Sequence, residues 1–204
     1  GPRLCDACRR ALRRGAGAPC ATCGHPWPVR VPSCPECPPR LRAVGYLCGY
    51  GPTARAVVSA VKDHGRVGVL ADVAELLALA VPAPPAGAPL VPVPLTARRE
   101  RERGFNQSDV LARELGRLWH RPVEHLLRRT GTCPPQRGAS RTARERQVRG
   151  AFRLDATAAT DVRAAVIVDD VMTTGATLGA CARVLHRAGV RAVGAVVVAR
   201  VERS

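Results

Sequence analysis

The sequence predicts an α/β protein in which helices cover a parallel sheet, with a small cysteine-rich module before it. Three observations support this fold class. From residue 45 onward, short and continuously apolar segments alternate with amphipathic ones, as in sheets that are buried on both faces. The 204 residues, 46% of them hydrophobic, can bury a core of that kind. Six of the nine cysteines lie in the first 40 residues, which lack apolar periodicity, so metal or disulfide bonds are expected to order that segment.

The individual elements follow from this alternation. Strands are predicted where short apolar runs are bounded by turn residues, at 45–50, 90–93, 123–127, 164–168 and 191–199. Helices are predicted where apolar residues recur at helical spacing, at 53–63, 68–80, 108–119 and 178–188. A proline-rich loop is expected at 79–89. We place the domain boundary after residue 42, so that 3–42 forms the cysteine module and 43–204 forms the α/β domain.

The pattern of hydrophobic residues argues against a membrane protein. No apolar run approaches the roughly 20 residues that a spanning helix needs, and the N-terminus lacks the charged-then-apolar order of a signal peptide. We therefore expect a cytoplasmic protein without membrane insertion.

Positive charge is concentrated in one stretch, residues 128–153. The formal net charge of the chain is +16, and this stretch holds eight arginines against one acid. Such a field attracts polyanions, and guanidinium groups match phosphate oxygens in a bidentate way. A solvated arginine-rich face is the alternative. The candidate nucleic-acid-binding residues are Arg128, Arg129, Arg137, Arg141, Arg144, Arg146 and Arg149.

The N-terminal cysteines occur as three Cys-x-x-Cys pairs, which is the spacing of zinc knuckles. Tetrahedral Zn²⁺ takes four thiolates, and each pair delivers two of them on one side. Disulfide bonds are the less favoured alternative because nothing marks the protein as secreted. Six ligands leave one pair over, and His25 is a further candidate ligand. The candidate metal ligands are Cys5, Cys8, Cys20, Cys23, Cys34 and Cys37. The cysteines elsewhere, Cys48, Cys133 and Cys181, are expected to pack in the fold.

A phosphate-binding loop is predicted between the strand at 164–168 and the helix that follows. The strand ends in two acids, after which comes the tight turn 173–175. Gly175 allows close approach of the backbone to a ligand, and the amides of 173–177 lie where a helix N-terminus offers donors to a phosphate. Thr177 is a plausible N-cap, and Gly189 closes the helix. The acids suit ribose hydroxyls or a hydrated Mg²⁺. An ordinary turn with two exposed acids would explain less of this pattern.

A second segment is expected beside this loop. The run Val91-Pro92-Val93-Pro94-Leu95 ends a strand and leads to four arginines, at positions 98, 99, 101 and 103. Placed past the carboxyl end of a strand, these arginines can reach a pyrophosphate in the crevice. Either Asn106 or Ser108 is expected to cap the next helix.

Residues 166–177 resemble the motif that binds phosphoribosyl pyrophosphate (PRPP) in type I phosphoribosyltransferases. The cysteine pairs, the Val-Pro-Val-Pro-Leu run, the Arg-Gly-Phe-Asn-Gln-Ser string at 103–108 and the acidic loop together resemble the ComF/GntX family. The resemblance implies a type I phosphoribosyltransferase-like sheet with a zinc ribbon. It also implies that Asp169 and Asp170 form the catalytic pair that contacts the ribose. The substrate-binding residues that it implies are Val171, Met172, Thr173, Thr174, Gly175, Ala176, Thr177, Pro94, Leu95 and Arg103.

The same resemblance implies a role in natural competence. It suggests structural zinc, Mg²⁺ bound with PRPP, and as partners incoming single-stranded DNA and competence helicase or DNA-processing proteins. Members often carry four cysteine pairs, so either the last two pairs here form the complete zinc site or the first two do. Two functions stay open: a Mg²⁺-dependent phosphoribosyltransferase, or a non-catalytic single-stranded DNA-binding factor that uses the PRPP pocket for regulation. A pure zinc-ribbon adaptor would leave the acidic loop unexplained.

Overall fold

The computed structural model describes residues 3–12, 40–130, 150–157 and 161–201. Within them the elements in chain order are α1 (Asp6–Ala11), β1 (Val44–Gly49), α2 (Pro52–Lys62), α3 (Val69–Ala80), β2 (Leu90–Pro92), α4 (Ala97–Arg103), α5 (Gln107–Trp119), β3 (Leu127–Arg129), β4 (Phe152–Leu154), β5 (Ala164–Met172), α6 (Ala176–Arg187) and β6 (Ala192–Arg200). Among these residues, no helix combines the length and apolar character that crossing a bilayer requires.

The main sheet has four parallel strands in the order β1-β6-β5-β2. Pro92, the last residue of β2, pairs with Val168 in the middle of β5. Strand β5 therefore continues past the end of β2, and its last residues pair with β6 alone in the described part of the chain. This stagger opens a crevice at the carboxyl edge of the sheet, where open α/β sheets bind ligands.

Both faces of the sheet are covered, as the continuous apolar strands predict. On one face, Val168, Val196 and Val198 pack under the helices α2, α3 and α5. On the other, Ile167 and Val197 pack under α6 and the small antiparallel pair of β3 and β4. Alternate residues of a strand point to opposite faces, so the β-branched residues of one strand are buried in the hydrophobic cores on both faces of the sheet. The predicted fold class, a parallel sheet flanked by helices, is confirmed.

The predicted helices agree with α2, α3, α5 and α6 to within two residues at each end, but one strand prediction is wrong. In the expected strand 123–127, Val123 forms only an isolated bridge to Leu90, and β3 begins at Leu127. Leu126 and Leu127 are instead buried with Phe152 beneath α6. Burial of these leucines in the second core, rather than extension of the sheet, decides the course of the chain there.

Two further boundaries differ from the prediction. Strand β5 does not stop at Val168 but runs to Met172, because Asp169 and Met172 continue the ladder with β6. The arginines after β2, for which no helix was predicted, lie in α4. Thr96 caps this helix by accepting from the amide of Arg99 at 3.2 Å, and Gly104 ends it with φ +79. These are ordinary helix start and stop signals, which the density of arginines obscured.

The N-terminal segment 3–12 docks on α3. Leu12 is completely buried in the core beneath that helix. The buried carboxylate of Asp72 accepts from the amide of Leu4 at 2.6 Å and from Arg9 Nη1 at 2.8 Å. Arg3 Nη2 also lies 2.7 Å from it. An ionised carboxylate can be buried here because charged donors surround it.

Candidate functional site

Two consecutive acids lie where β5 extends past the end of β2. Because successive strand residues point to opposite faces, the acids have different surroundings. Asp169 is half-buried, and its Oδ1 accepts from the Ser108 hydroxyl at 3.0 Å and from the Asp170 amide at 2.9 Å. Ser108, in the first turn of α5, therefore ties that helix to the acid pair.

Asp170 is buried and faces the helices α2 and α3. Its Oδ2 lies 2.5 Å from Lys62 Nζ, at the end of α2, and its Oδ1 accepts from the Val171 amide at 2.8 Å. An apolar pocket adjoins this ion pair, and valines of α2 and α3 line much of it. Lys62, the only lysine of the chain, contributes to the resemblance to the ComF/GntX family but was not among the predicted site residues, and the structure places it at the site.

The electrostatics of the pair make Asp169 easier to protonate. Burial, and then the negative charge of Asp170, raise the pKa of Asp169 to about 7. The hydrogen bonds from the Asp170 amide and Ser108, and the charge of Lys62, oppose that rise. An acid with such a pKa changes its charge near neutral pH, which is common at functional sites and uncommon on plain surfaces.

The predicted phosphate loop leads directly from this pair into α6. Gly175 adopts a left-handed conformation with φ 72 and is itself the N-cap, and α6 begins at Ala176. Thr177 therefore lies inside the helix, and the expectation that it forms the cap is wrong. Gly175 has no side chain to cap α6, and Thr173 and Thr174 are exposed beside its first turn, where Thr174 Oγ1 accepts from the Ala176 amide at 3.3 Å. The helix N-terminus thus keeps donors and a positive dipole end for an anion.

The other predicted loop residues contribute in different ways. Met172 is buried in the core, and its carbonyl accepts from the Val201 amide at 2.8 Å, so it anchors the loop. Val171, Ala176 and Thr177 are half-buried. As predicted, Gly189 follows the last turn of α6, with φ +97.

The opposite wall of the crevice is formed by the residues after β2. Pro94 and Leu95 are half-buried there. Asn106, and not Ser108, caps α5: its Oδ1 accepts from the Ser108 amide, while its Nδ2 donates to the Val93 carbonyl at 3.0 Å. The same residue therefore fixes both the helix start and its distance from the strand end.

Arg103 is held at the start of α5. Its Nη1 donates to Gln107 Oε1 at 2.6 Å, and Gln107 in turn lines the apolar pocket next to Asp170. This contact places a cation near the acid pair. It leaves the remaining guanidinium donors of Arg103 for other partners.

Of the predicted nucleic-acid-binding arginines, two are described. Arg128 is exposed and lies 3.6 Å from Asp155 Oδ2, whereas Arg129 is half-buried with its guanidinium 5.2 Å from the ring centroid of Phe152. The others lie outside the described residues: Arg137, Arg141, Arg144, Arg146 and Arg149.

Only the first predicted cysteine pair is described. Cys5 caps the short helix α1, with its Sγ 3.5 Å from the Cys8 amide, and hydrogen bonding to Cys8 lowers the pKa of Cys5. An amide directed at a thiolate is the arrangement that a zinc knuckle needs. Within the described ranges no three metal-ligating side chains come together. The expected ligands Cys20, Cys23, Cys34 and Cys37, with His25, lie outside them.

Two of the remaining cysteines pack in the fold, as expected. Cys48 in β1 and Cys181 in α6 are buried, and burial raises the pKa of both thiols, that of Cys48 to about 11. A thiol held protonated in this way is a poor nucleophile. Cys133 lies outside the described residues.

Comparison with known proteins identifies the family and several relatives of this chain. A family model described as "Phosphoribosyl transferase domain" matches residues 125–204, which include the acid pair and the loop. The chain is 32% identical to the DNA utilization protein YhgH of Escherichia coli K12, over 94% of each chain. It is 27% identical to Competence protein ComFC of Bacillus subtilis, over 92% of this chain and 79% of that one. Competence protein F of Haemophilus influenzae is 34% identical over 51% of this chain and 46% of its own. The chain belongs to the ComF family of phosphoribosyltransferase-like proteins.

Proposed function

We propose that this protein binds PRPP together with Mg²⁺ in the crevice at the carboxyl edge of β2 and β5. One observation carries the proposal. The carboxylate of Asp169 lies past the end of β2, and β5 leads from it through the phosphate loop to a helix N-terminus whose N-cap, Gly175, has no side chain. A ligand that has hydroxyls on one side and a phosphate on the other fits such a juxtaposition of acceptor and donors.

Different residues of the crevice would bind the ribose and the phosphate groups of PRPP. Asp169, supported by Ser108, accepts from a ribose hydroxyl, and the amides from Gly175 onward donate to the 5′-phosphate. Asp170 shares the ribose if its ion pair with Lys62 adjusts to the ligand. Carboxylate oxygens of the pair also suit hydrated Mg²⁺, which would neutralise charge on the pyrophosphate. In a transferase, pyrophosphate leaves ribose C1 as a nitrogen nucleophile attacks, and arginines such as Arg103 stabilise the leaving charge.

Calorimetric titration with PRPP, with and without Mg²⁺, tests this proposal. Asp169→Ala and Asp170→Ala should each weaken binding by about 1.5–3 kcal/mol, the usual contribution of a charged hydrogen bond. The matched control is Asp161→Ala, since this acid is exposed and lies before β5. If the double alanine variant binds PRPP as tightly as the parent, the site assignment is wrong. Release of pyrophosphate with a panel of bases then distinguishes an enzyme from a binding protein.

We propose in addition that the protein handles single-stranded DNA through the arginine-rich stretch. Its net charge of +7 over residues 128–153 supports this, as does the similarity to proteins named for DNA utilization and competence. With 3% aromatic residues, base stacking contributes little, so binding should be mostly electrostatic. The stretch would then act through the exposed Arg128 and the arginines beyond it.

Salt dependence tests the DNA proposal. The logarithm of the affinity for single-stranded DNA should fall with the logarithm of salt concentration, with a slope of about −0.7 per phosphate neutralised. Replacing Arg141, Arg144 and Arg146 by alanine should flatten that slope by roughly two to three phosphates' worth, with Arg149→Ala as the single-site comparison. No binding even at low salt would refute the DNA proposal and leave the transferase as the remaining function.

A further inference from the structure

Arg128 and Arg129 are neighbours in the basic stretch, but their side chains lie on opposite faces of strand β3. Because alternate strand residues point to opposite faces, one arginine faces outward and the other inward. The Arg128 side chain is 66% exposed, and Asp155 is its partner. Arg129 is half-buried, and its guanidinium stacks on the ring of Phe152. Phe152 lies directly opposite Arg129 in the neighbouring strand β4. The two arginines therefore cannot be expected to serve one surface.

The surroundings of Arg129 are those of the candidate site. Phe152 belongs to the same buried cluster as Leu178 and Cys181, so β4 packs on α6, the helix that begins at the phosphate loop. Burial, and then repulsion by Arg99 of α4, lower the pKa of Arg129, and nearby Cys181 and then Asp169 partly offset this. In the described part of the chain, no acid lies within ion-pair distance of the Arg129 guanidinium.

Two arginines from separate elements thus lie on the β2 side of the crevice, and Arg99 is close enough to affect the pKa of Arg129. Arg99 comes from the first turns of α4, directly after β2, and Arg129 comes from β3, which follows residues 122–124 on the edge of β2 that faces away from β5. A half-buried cation that is repelled by another cation is unfavourable unless an anion joins them. Stacking on Phe152 holds the guanidinium plane of Arg129 in place, which reduces the entropy lost on binding phosphate oxygens.

We propose that Arg129 binds the pyrophosphate group of the phosphoribosyl ligand together with Arg99, and belongs to this pocket rather than to a DNA-binding surface. The inference rests on the proposed function, because it names a ligand contact of that same crevice. The proposal assigns the two arginines of β3 to different ligands. The inward-facing Arg129 contacts the phosphoribosyl ligand, and the outward-facing Arg128 is available to a polyanion.

Arg129→Met and Arg128→Met form a matched pair that tests this assignment. Methionine keeps an unbranched apolar stem over Phe152 but removes the charge and its donors. Titrations with PRPP, inorganic pyrophosphate and ribose 5-phosphate, each with Mg²⁺, should show that Arg129→Met weakens the first two at least about tenfold, the loss of one charge-assisted contact. Ribose 5-phosphate should bind with nearly parental affinity. Arg128→Met should leave all three affinities unchanged.

Arg129→Lys is the control for a folding defect, since lysine retains both an aliphatic stem and the positive charge. It should bind pyrophosphate more tightly than Arg129→Met and more weakly than the parent, because an ammonium lacks the planar fork. Equal affinities of Arg129→Met and Arg128→Met for pyrophosphate, or a loss confined to ribose 5-phosphate, would overturn the assignment. If the parent binds pyrophosphate but not PRPP, and Arg129→Met loses the pyrophosphate, the proposed function fails while this contact stands.

Discussion

At the scale of single residues, the acid pair shows how one strand gives two adjacent carboxylates different properties. Asp170 is neutralised by Lys62 within an apolar pocket, while Asp169 faces the crevice with a hydroxyl and an amide as its partners. The raised pKa of Asp169 means that the folded protein holds its proton more firmly than an ordinary aspartate does. Ligand binding and stability should therefore depend on pH in opposite directions.

The affinity for PRPP should rise as the pH increases from 6 to 8, because ionised Asp169 is the better acceptor for a ribose hydroxyl. The expected gain is about threefold to tenfold, and it should vanish in Asp169→Asn. Calorimetric titration at three pH values measures it. An equally strong pH dependence in Asp169→Asn would assign the effect to another group.

The contribution of Asp169 to stability has the opposite sign. Its pKa is raised from 3.8 to about 7, so the folded state binds more protons than the unfolded state between these values. The free energy of unfolding therefore falls as the pH rises through this window. Asp169→Asn should gain about 1–2 kcal/mol relative to the parent between pH 5 and pH 8, allowing for solvent screening. Urea unfolding at the two pH values checks this.

At the scale of secondary-structure elements, the site depends on how α6 begins. Gly175 has φ 72, in the left-handed region that costs residues with a Cβ about 1–2 kcal/mol. Gly189, just past the other end of the same helix, has φ +97, and a Cβ added there would meet no atom within 4 Å. Both glycines have a positive φ that disfavours residues with a Cβ, but only Gly175 adjoins the crevice.

Alanine at these two positions should separate stability from ligand binding. Gly175→Ala and Gly189→Ala are each expected to lower the free energy of unfolding by about 1 kcal/mol or more. Only Gly175→Ala should also weaken PRPP binding, by about tenfold, because it displaces the amides at the helix start. Thermal melts and calorimetric titration give both quantities. Equal PRPP affinities of the two variants would contradict the role of this turn.

At the scale of the whole molecule, Asp72 joins the N-terminal segment to the α/β domain. It lies on α3, the helix whose Leu70 and Val73 line the pocket beside Asp170. Asp72→Asn should release the segment and cost about 1–3 kcal/mol, discounted because Arg3 and Arg9 are partly exposed. Limited proteolysis should then cut within the first ~40 residues. Glu75→Gln, which removes only the more exposed partner of these arginines, should remain resistant.

Metal removal tests the proposed zinc module at the same scale. Protein purified without chelator should contain about one equivalent of zinc, and chelation should unfold the first ~40 residues while the α/β domain stays folded. Elemental analysis and circular dichroism measure the two effects. A stoichiometry near two would indicate that His25 or another cysteine completes a second site, and absence of zinc would refute the module.

Local signals made a large part of the fold and site predictable. The helices α2, α3, α5 and α6 follow from apolar periodicity, and the acidic loop follows from residue types that are adjacent in the chain. The prediction was wrong where burial overrode a local pattern. Leu126 and Leu127 pack with Phe152 instead of extending the sheet, and the acids continue β5 because β6 is there to pair with them.

By itself, the sequence determined the alternation of strands and helices, the glycine turn and the pair of acids, because each depends on neighbours within a few residues. Only the tertiary structure decided which face each acid occupies and which cation meets it. Lys62 and Asp170 are brought together by the packing of α2 on the sheet, and Arg129 is turned inward by its pairing with Phe152. A charge pattern records how many cations a segment has, but the side of a strand on which each cation lies depends on what the opposite face buries.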